Sequence, residues 1–263
     1  MAVQVLQFLQ SNESARRAYL LAVEHIGRDV AQKVICVLLW LDLTMGFNVL
    51  GKVAAMGACD MSLARVVMEA NAVYNYVYTE LPPPVLDIPM LMTLCSGGRL
   101  VDARFFRFHK ELVARGLAFI RDSFAALVFD DNLHALLRQF EDDVDTFVNP
   151  RPEPAPELTA PVVALTRTPS QDSRAAFIAL PENLPLTSPQ IVEYFEGRLK
   201  FGHCIDRIEM EWPGPGRVAK HGLIVFSSTQ QRDQVLFRGY GAFYRVNGDD
   251  AMWMQGYLMP LSP

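Results

Sequence analysis

Two rhythms of apolar and polar positions divide the chain. Up to residue 148, apolar residues recur at three- and four-residue spacing, as helices that bury one face require. Ser11 or Asn12 is placed to cap a first helix, with Leu20, Val23 and Ile26 near helical spacing. From Arg28 to Met45 the pattern continues through Val30, Val34, Val37, Leu38 and Leu41, and Gly46 ends it. Asp60 caps the next helix, closed by Pro82, Pro83 and Pro84. A long helix is expected from about Arg99 to Phe129, carrying Phe105, Phe108, Leu112, Leu117 and Ile120, and a shorter one from Asp131 to Phe140. Residues 1–148 therefore predict an all-α helical bundle.

The stretch 149–172 is rich in proline, serine and threonine and keeps no period, so it reads as a mostly extended linker whose apolar VVAL centre can pack on a neighbour. From 173 to 263 the signal becomes β-α-β-β-α-β. Ala175–Leu180 is a short apolar strand, and Ser188 caps a helix with Pro189 at its first turn. Cys204–Trp212 alternates, with Ile205, Arg207, Glu209 and Glu211 on one side and Asp206, Ile208, Met210 and Trp212 on the other. Lys220–Phe226, a helix over Thr229–Leu236 and a strand over Trp253–Leu258 complete the rhythm, with a small hairpin near Tyr244–Val246 before the last strand. The predicted class is α+β, a helical bundle followed by a ferredoxin-like unit.

Composition adjusts this picture modestly. With 51% apolar residues in 263, the chain can bury a substantial core. Its net charge of −5 gives no overall pull on polyanions. The four cysteines are dispersed without metal-ligand spacing, which suits buried thiols. No metal or other cofactor is expected. The most apolar run, Val34–Leu41, meets Asp42 at once and is too short for a bilayer. The start, MAVQVLQFLQ, lacks a basic leader, so an intracellular protein, nuclear or cytoplasmic, is expected.

The strand AKHGLIVF (219–226) resembles the third-strand signature of an RNA-recognition motif, in which aromatics on an open sheet stack on bases. Gly222 and Phe226 match it, Lys220 is displaced by one position, and His221 and Leu223 stand at the two stacking places. AAFIALPEN offers Phe177 for the first-strand aromatic. The likeness covers about residues 173–260. The whole chain, through ARRAYLLAVEHIGRDVAQKVICVLLWL and KHGLIVFSSTQQRD, also resembles a poorly characterised group of plant proteins with such a motif.

The resemblance implies single-stranded RNA as partner, held by stacking on Phe177 and His221, with Leu223 a lost platform. Lys220, Arg207, Arg217 and Arg245, on or beside predicted strands, would take phosphates. Phe226 is expected in the core beneath the sheet. Charge argues for weak binding, because from residue 171 onward nine basic residues face ten acidic ones. A second basic run, with Arg99, Arg104, Arg107, His109, Lys110 and Arg115 among phenylalanines, fits either an amphipathic core helix or a nucleic-acid contact. The alternative is a protein-interaction scaffold whose sheet face is covered by the helical half or by a partner. The five histidines are dispersed and no nucleophile or phosphate-loop motif is present, so catalysis is not expected.

Overall fold

A computed structural model describes residues 3–57, 60–79, 87–95, 99–146, 152–163, 169–181, 186–212, 214–247 and 250–258. Cys59 and the proline run 82–84 lie outside the described residues. The N-terminal half contains α1 (Val5–Ser11), α2 (Glu13–Ile26), α3 (Arg28–Met45), α4 (Val49–Ala54), α5 (Met61–Tyr78), α6 (Pro89–Leu94), α7 (Ala103–Phe108), α8 (Lys110–Ile120), α9 (Ala126–Phe129) and α10 (Asp131–Asp145).

Helix α3 is the axis of this half. Val34 to Leu41 are buried without a break, which is why the sequence there is apolar on every side of the helix. Gly46, at φ 69°, gives the left-handed turn that stops it. Helix α2 departs from expectation: Leu20 is exposed, and the buried face is Ala15, Ala18, Tyr19 and Ala22. Three alanines leave little bulk on that face where α2 packs on α3 and α4.

The long helix expected over 99–129 is interrupted. Asp102 is extended and accepts the Phe105 N–H at 2.8 Å, so α7 starts only at Ala103. The chain breaks again at His109, which both ends α7 and precedes α8. A π-helical turn, Arg121–Ala125, then links α8 to α9.

The described part of the 149–172 segment is not an extended spacer. It forms α11 (Pro156–Thr159) with Leu158 fully buried, and Pro161 bridges Gln4. The Val5 N–H donates to Ala160 O at 2.9 Å and the Val162 N–H to Val3 O at 2.8 Å. Val162 packs on the helical core, whereas Val163 is exposed.

After the 3-10 turn Asp172–Arg174 come β1 (Ala175–Ala179), α12 (Ser188–Val192, continued by a π-helical turn Glu193–Arg198), β2 (Ile205–Met210), β3 (His221–Phe226), α13 (Thr229–Val235), β4 (Gly241–Asn247) and β5 (Asp250–Gly256). The cap of α12 is Thr187, one residue earlier than expected, whose N–H donates to Gln190 Oε1 at 2.9 Å. The strands make one sheet in the order β2-β3-β1-β5-β4, every neighbouring pair antiparallel. A register shift in β2 between Ile205 and Arg207 breaks the simple alternation, and Ile205 joins Ile208 and Met210 on one core.

Each face of the sheet carries a packed layer at its centre. Below it, Ile178, Ile224, Phe226, Met252 and Met254 pack with Ile191 and Phe195 of the first C-terminal helix and with Val235 of α13. Phe226 is buried there, beneath the sheet. Gly222 permits close approach in this layer, since a Cβ on it would press on the Ile178 side chain and on Glu209 O. Above the sheet, Ala175, Phe177, Ala179, Leu223, Val225 and Tyr257 belong to the same core as the helices.

Candidate functional site at the seam between sheet and helices

The face expected to meet RNA is the face that meets the helical half. Phe177 and His221 are completely buried and Leu223 is 8% exposed. The Phe177 ring sits 5.0 Å from Phe105, 4.7 Å from His109, 5.7 Å from Tyr257 and 6.5 Å from Trp40, centroid to centroid. Each such pair contributes about 0.5–1.5 kcal/mol beyond the area it buries. With its ring enclosed, Phe177 has no face for a base, and the same holds for His221. This corrects the expectation of stacking at these two positions. The physical reason is that Trp40 of α3, Phe105 of α7 and His109 at the α7–α8 junction occupy the platform themselves.

Gly116 of α8 makes that approach possible. A Cβ there would overlap Trp40 Nε1 and Tyr257 Oη, so glycine is required for the helix to lie against both rings. Bonds to the last carbonyls of α3 fasten the same layer: the Gln255 side-chain Nε2 donates to Met45 O at 2.8 Å, and the Leu258 N–H to Thr44 O at 2.9 Å.

Around the aromatic centre runs a rim of buried or half-buried ion pairs. Asp102, besides capping α7, accepts from Lys220 Nζ at 2.6 Å and from His221 Nε2 at 2.8 Å. Burial alone would raise its carboxyl, but hydrogen bonds and the charge of His221, together with Lys220, hold it well below the usual carboxylate range. Glu211 receives Arg104 through two nitrogens, at 2.9 and 2.8 Å, and the Lys220 N–H at 3.0 Å. Against the opposing pull of burial, these contacts lower its carboxyl too. Arg115 holds the buried Asp172 with two bonds of 3.0 Å. Such forked pairs fix orientation as well as charge.

Lys220 is therefore committed to a carboxylate and not open to phosphate. His109, at the heart of the seam, is pushed well below its ordinary value by burial and by the neighbouring His221. His221 Nδ1 has no hydrogen-bond partner among the described residues. The Asp102–His221 pair thus leads to no hydroxyl or thiol, and it is enclosed; its geometry fits an interlocking contact.

The remaining sequence candidates are scattered. Arg207 is exposed on β2 and pairs with Glu209 at 2.7 Å. Arg217 is exposed in the segment between β2 and β3. Arg245 is exposed on β4, at the opposite edge of the sheet from Arg207. A single groove holding all the candidate cations does not form. Sequence reasoning missed Asp102, Glu211 and Asp172. Only the first carried a signal, as a helix-capping aspartate, and nothing local marks partners 57 to 118 residues away.

Cys36, Cys95 and Cys204 are free and buried, and burial pushes the Cys36 thiol up to about 12. Among the described residues there is no group of metal-ligating side chains, and no helix is long and apolar enough to cross a membrane. Comparison of the chain with protein-family models, curated proteins and solved structures returned no match.

Proposed function

We propose that residues 173–263 form a ferredoxin-like unit of the RNA-recognition-motif type, and that its sheet serves as a protein-docking platform rather than a base-stacking one. The order β2-β3-β1-β5, antiparallel throughout with both C-terminal helices beneath it, supports the first part; β4 is an added edge strand. The second part rests on one observation above all. Phe177, at the middle of the platform, has no exposed surface and touches rings from α3, α7 and the β5 end.

On this reading the chain is a non-catalytic interaction scaffold whose first occupant is its own helical half. An aromatic anchor inside a charged rim is the anatomy of a protein interface. The test is binding of a single-stranded RNA pool to wild type and to Phe177→Ala, with thermal unfolding in parallel. The scaffold reading expects a destabilisation of about 3–5 kcal/mol, as for other buried Phe→Ala changes, and RNA affinity the same in both proteins at a temperature where both are folded. Loss of RNA binding with unfolding unchanged would return the site to the sheet face.

A further inference from the structure

The seam is closed at its centre and open at its β2 edge. Arg107 and Phe108 of α7 stand where two adjoining hollows meet. The inner one, about 330 Å³, reaches between α8 and strands β2 and β3; the outer, about 280 Å³, is bounded by Trp212 and Arg217. Together the two linings carry six cationic side chains against four carboxylates, in a chain whose net charge is −5.

Three of those carboxylates are already answered. Glu211 is paired with Arg104, Asp172 with Arg115 and Glu209 with Arg207. Arg107 and Arg217 make no ion pair or side-chain hydrogen bond among the described residues. Between them Trp212 is 92% exposed and belongs to neither core. Its indole face is therefore open to a ligand.

Two unpaired guanidinia beside an open aromatic face match one ligand chemistry closely: anionic groups at short intervals, with planar rings between them. Single-stranded nucleic acid has that repeat, and stacking on an aromatic with phosphates on nearby arginines is how such strands are held. A purely acidic peptide such as polyglutamate offers the charges without the rings.

We propose that the cleft at the β2 edge binds single-stranded nucleic acid, a base stacking on Trp212 and the adjoining phosphates on Arg107 and Arg217. The site lies beside the sheet face that the helices occupy, so the scaffold and the strand do not compete. It draws one member, Arg107, from the basic run of the helical half and another, Arg217, from the sheet half.

The test uses the full chain with labelled oligouridylate and oligothymidylate of about eight nucleotides, a length within the usual range for one such site. Wild type should bind at low salt, with affinity falling as salt rises, and binding of either sugar form supports the proposal. Trp212→Ala should weaken binding about tenfold, while Trp212→Phe keeps a ring and restores most of it. Removing Arg107 and Arg217 should flatten the dependence of log affinity on log salt by about 0.7 for each arginine. Arg245→Ala, at the far edge, should leave affinity unchanged. All of these side chains are exposed, so unchanged thermal unfolding would verify that the variants are folded. Absence of binding at low salt overturns the proposal. So does affinity indifferent to Trp212 and the two arginines, equal loss with Arg245→Ala, or equally tight binding of polyglutamate. None of these failures touches the enclosure of Phe177.

Discussion

The two faces of the sheet are covered in different ways. Beneath, α12 and α13 close over Ile178, Ile224, Phe226, Met252 and Met254, a layer held by apolar packing. Above, the rings of Phe177, Phe105, His109 and Trp40 are ringed by Asp102 with Lys220 and His221, Glu211 with Arg104, and Asp172 with Arg115. The lower layer resembles the interior of a single unit, the upper one an interface between two. Apolar packing is non-directional, whereas forked ion pairs admit one register. The difference teaches that the helical half is seated on the sheet in a specified orientation.

The neighbours Phe177 and Ile178 point to opposite faces and give the strongest way to separate the two layers. Phe177→Ala should cost about 3–5 kcal/mol and Ile178→Ala about 2–5 kcal/mol, in line with other buried large-to-small changes. Hydrogen exchange distinguishes them: Phe177→Ala should deprotect α7 and α8, and Ile178→Ala should deprotect α12 and α13. The same amides lost in both variants would erase the distinction between interface and interior. Next in size is Gly116→Ala, where the new methyl overlaps Trp40 and Tyr257. Overpacking of this kind costs about 1–3 kcal/mol and should appear as a lower unfolding midpoint.

A smaller effect comes from acid. His109 is held neutral in the fold, so below its ordinary value near 6.5 the unfolded chain binds more protons than the native one. Its contribution is fully present above that pH and is lost as pH falls toward the depressed native value. The loss sets in from about pH 7 downward and cannot exceed about 1.4 kcal/mol per pH unit for one proton. Asp42, raised by burial to about 6, works in the opposite sense: it adds stability as pH falls from 6 toward 3.8. Denaturant midpoints of wild type and His109→Leu over that range isolate the histidine, and parallel curves would remove it from the seam's pH response.

Much of the architecture was legible in the chain. The core helix α3 announced itself through unbroken apolar residues and Gly46, and the strands through alternation and the turns between them. What the sequence concealed was local competition and distance. Asp102 delays the start of a stretch whose periodicity reads as one helix, because its carboxylate caps α7, and the chain breaks again at His109. Leu20 looked like core and is solvent-exposed, since alanines let α2 sit closer on its other side. The proline-rich segment reads as a spacer, yet Leu158 and the bridge to Gln4 tie it down. At the site, the residue types at Phe177, His221 and Leu223 were the right ones to ask about. Whether they faced water depended on rings more than sixty residues earlier, beyond the reach of any local pattern.

The long sequence separation across the seam bears on how the chain is made. Gln255 reaches back 210 residues to Met45, and Lys220 reaches 118 to Asp102. During synthesis Trp40, Phe105 and His109 leave the ribosome well before the strands that shield them exist. Contacts that span so much chain close late, and an uncovered aromatic surface invites association with other nascent chains in the interval. The burden of avoiding aggregation therefore falls on the incomplete polypeptide, before β1 and β3 have been translated.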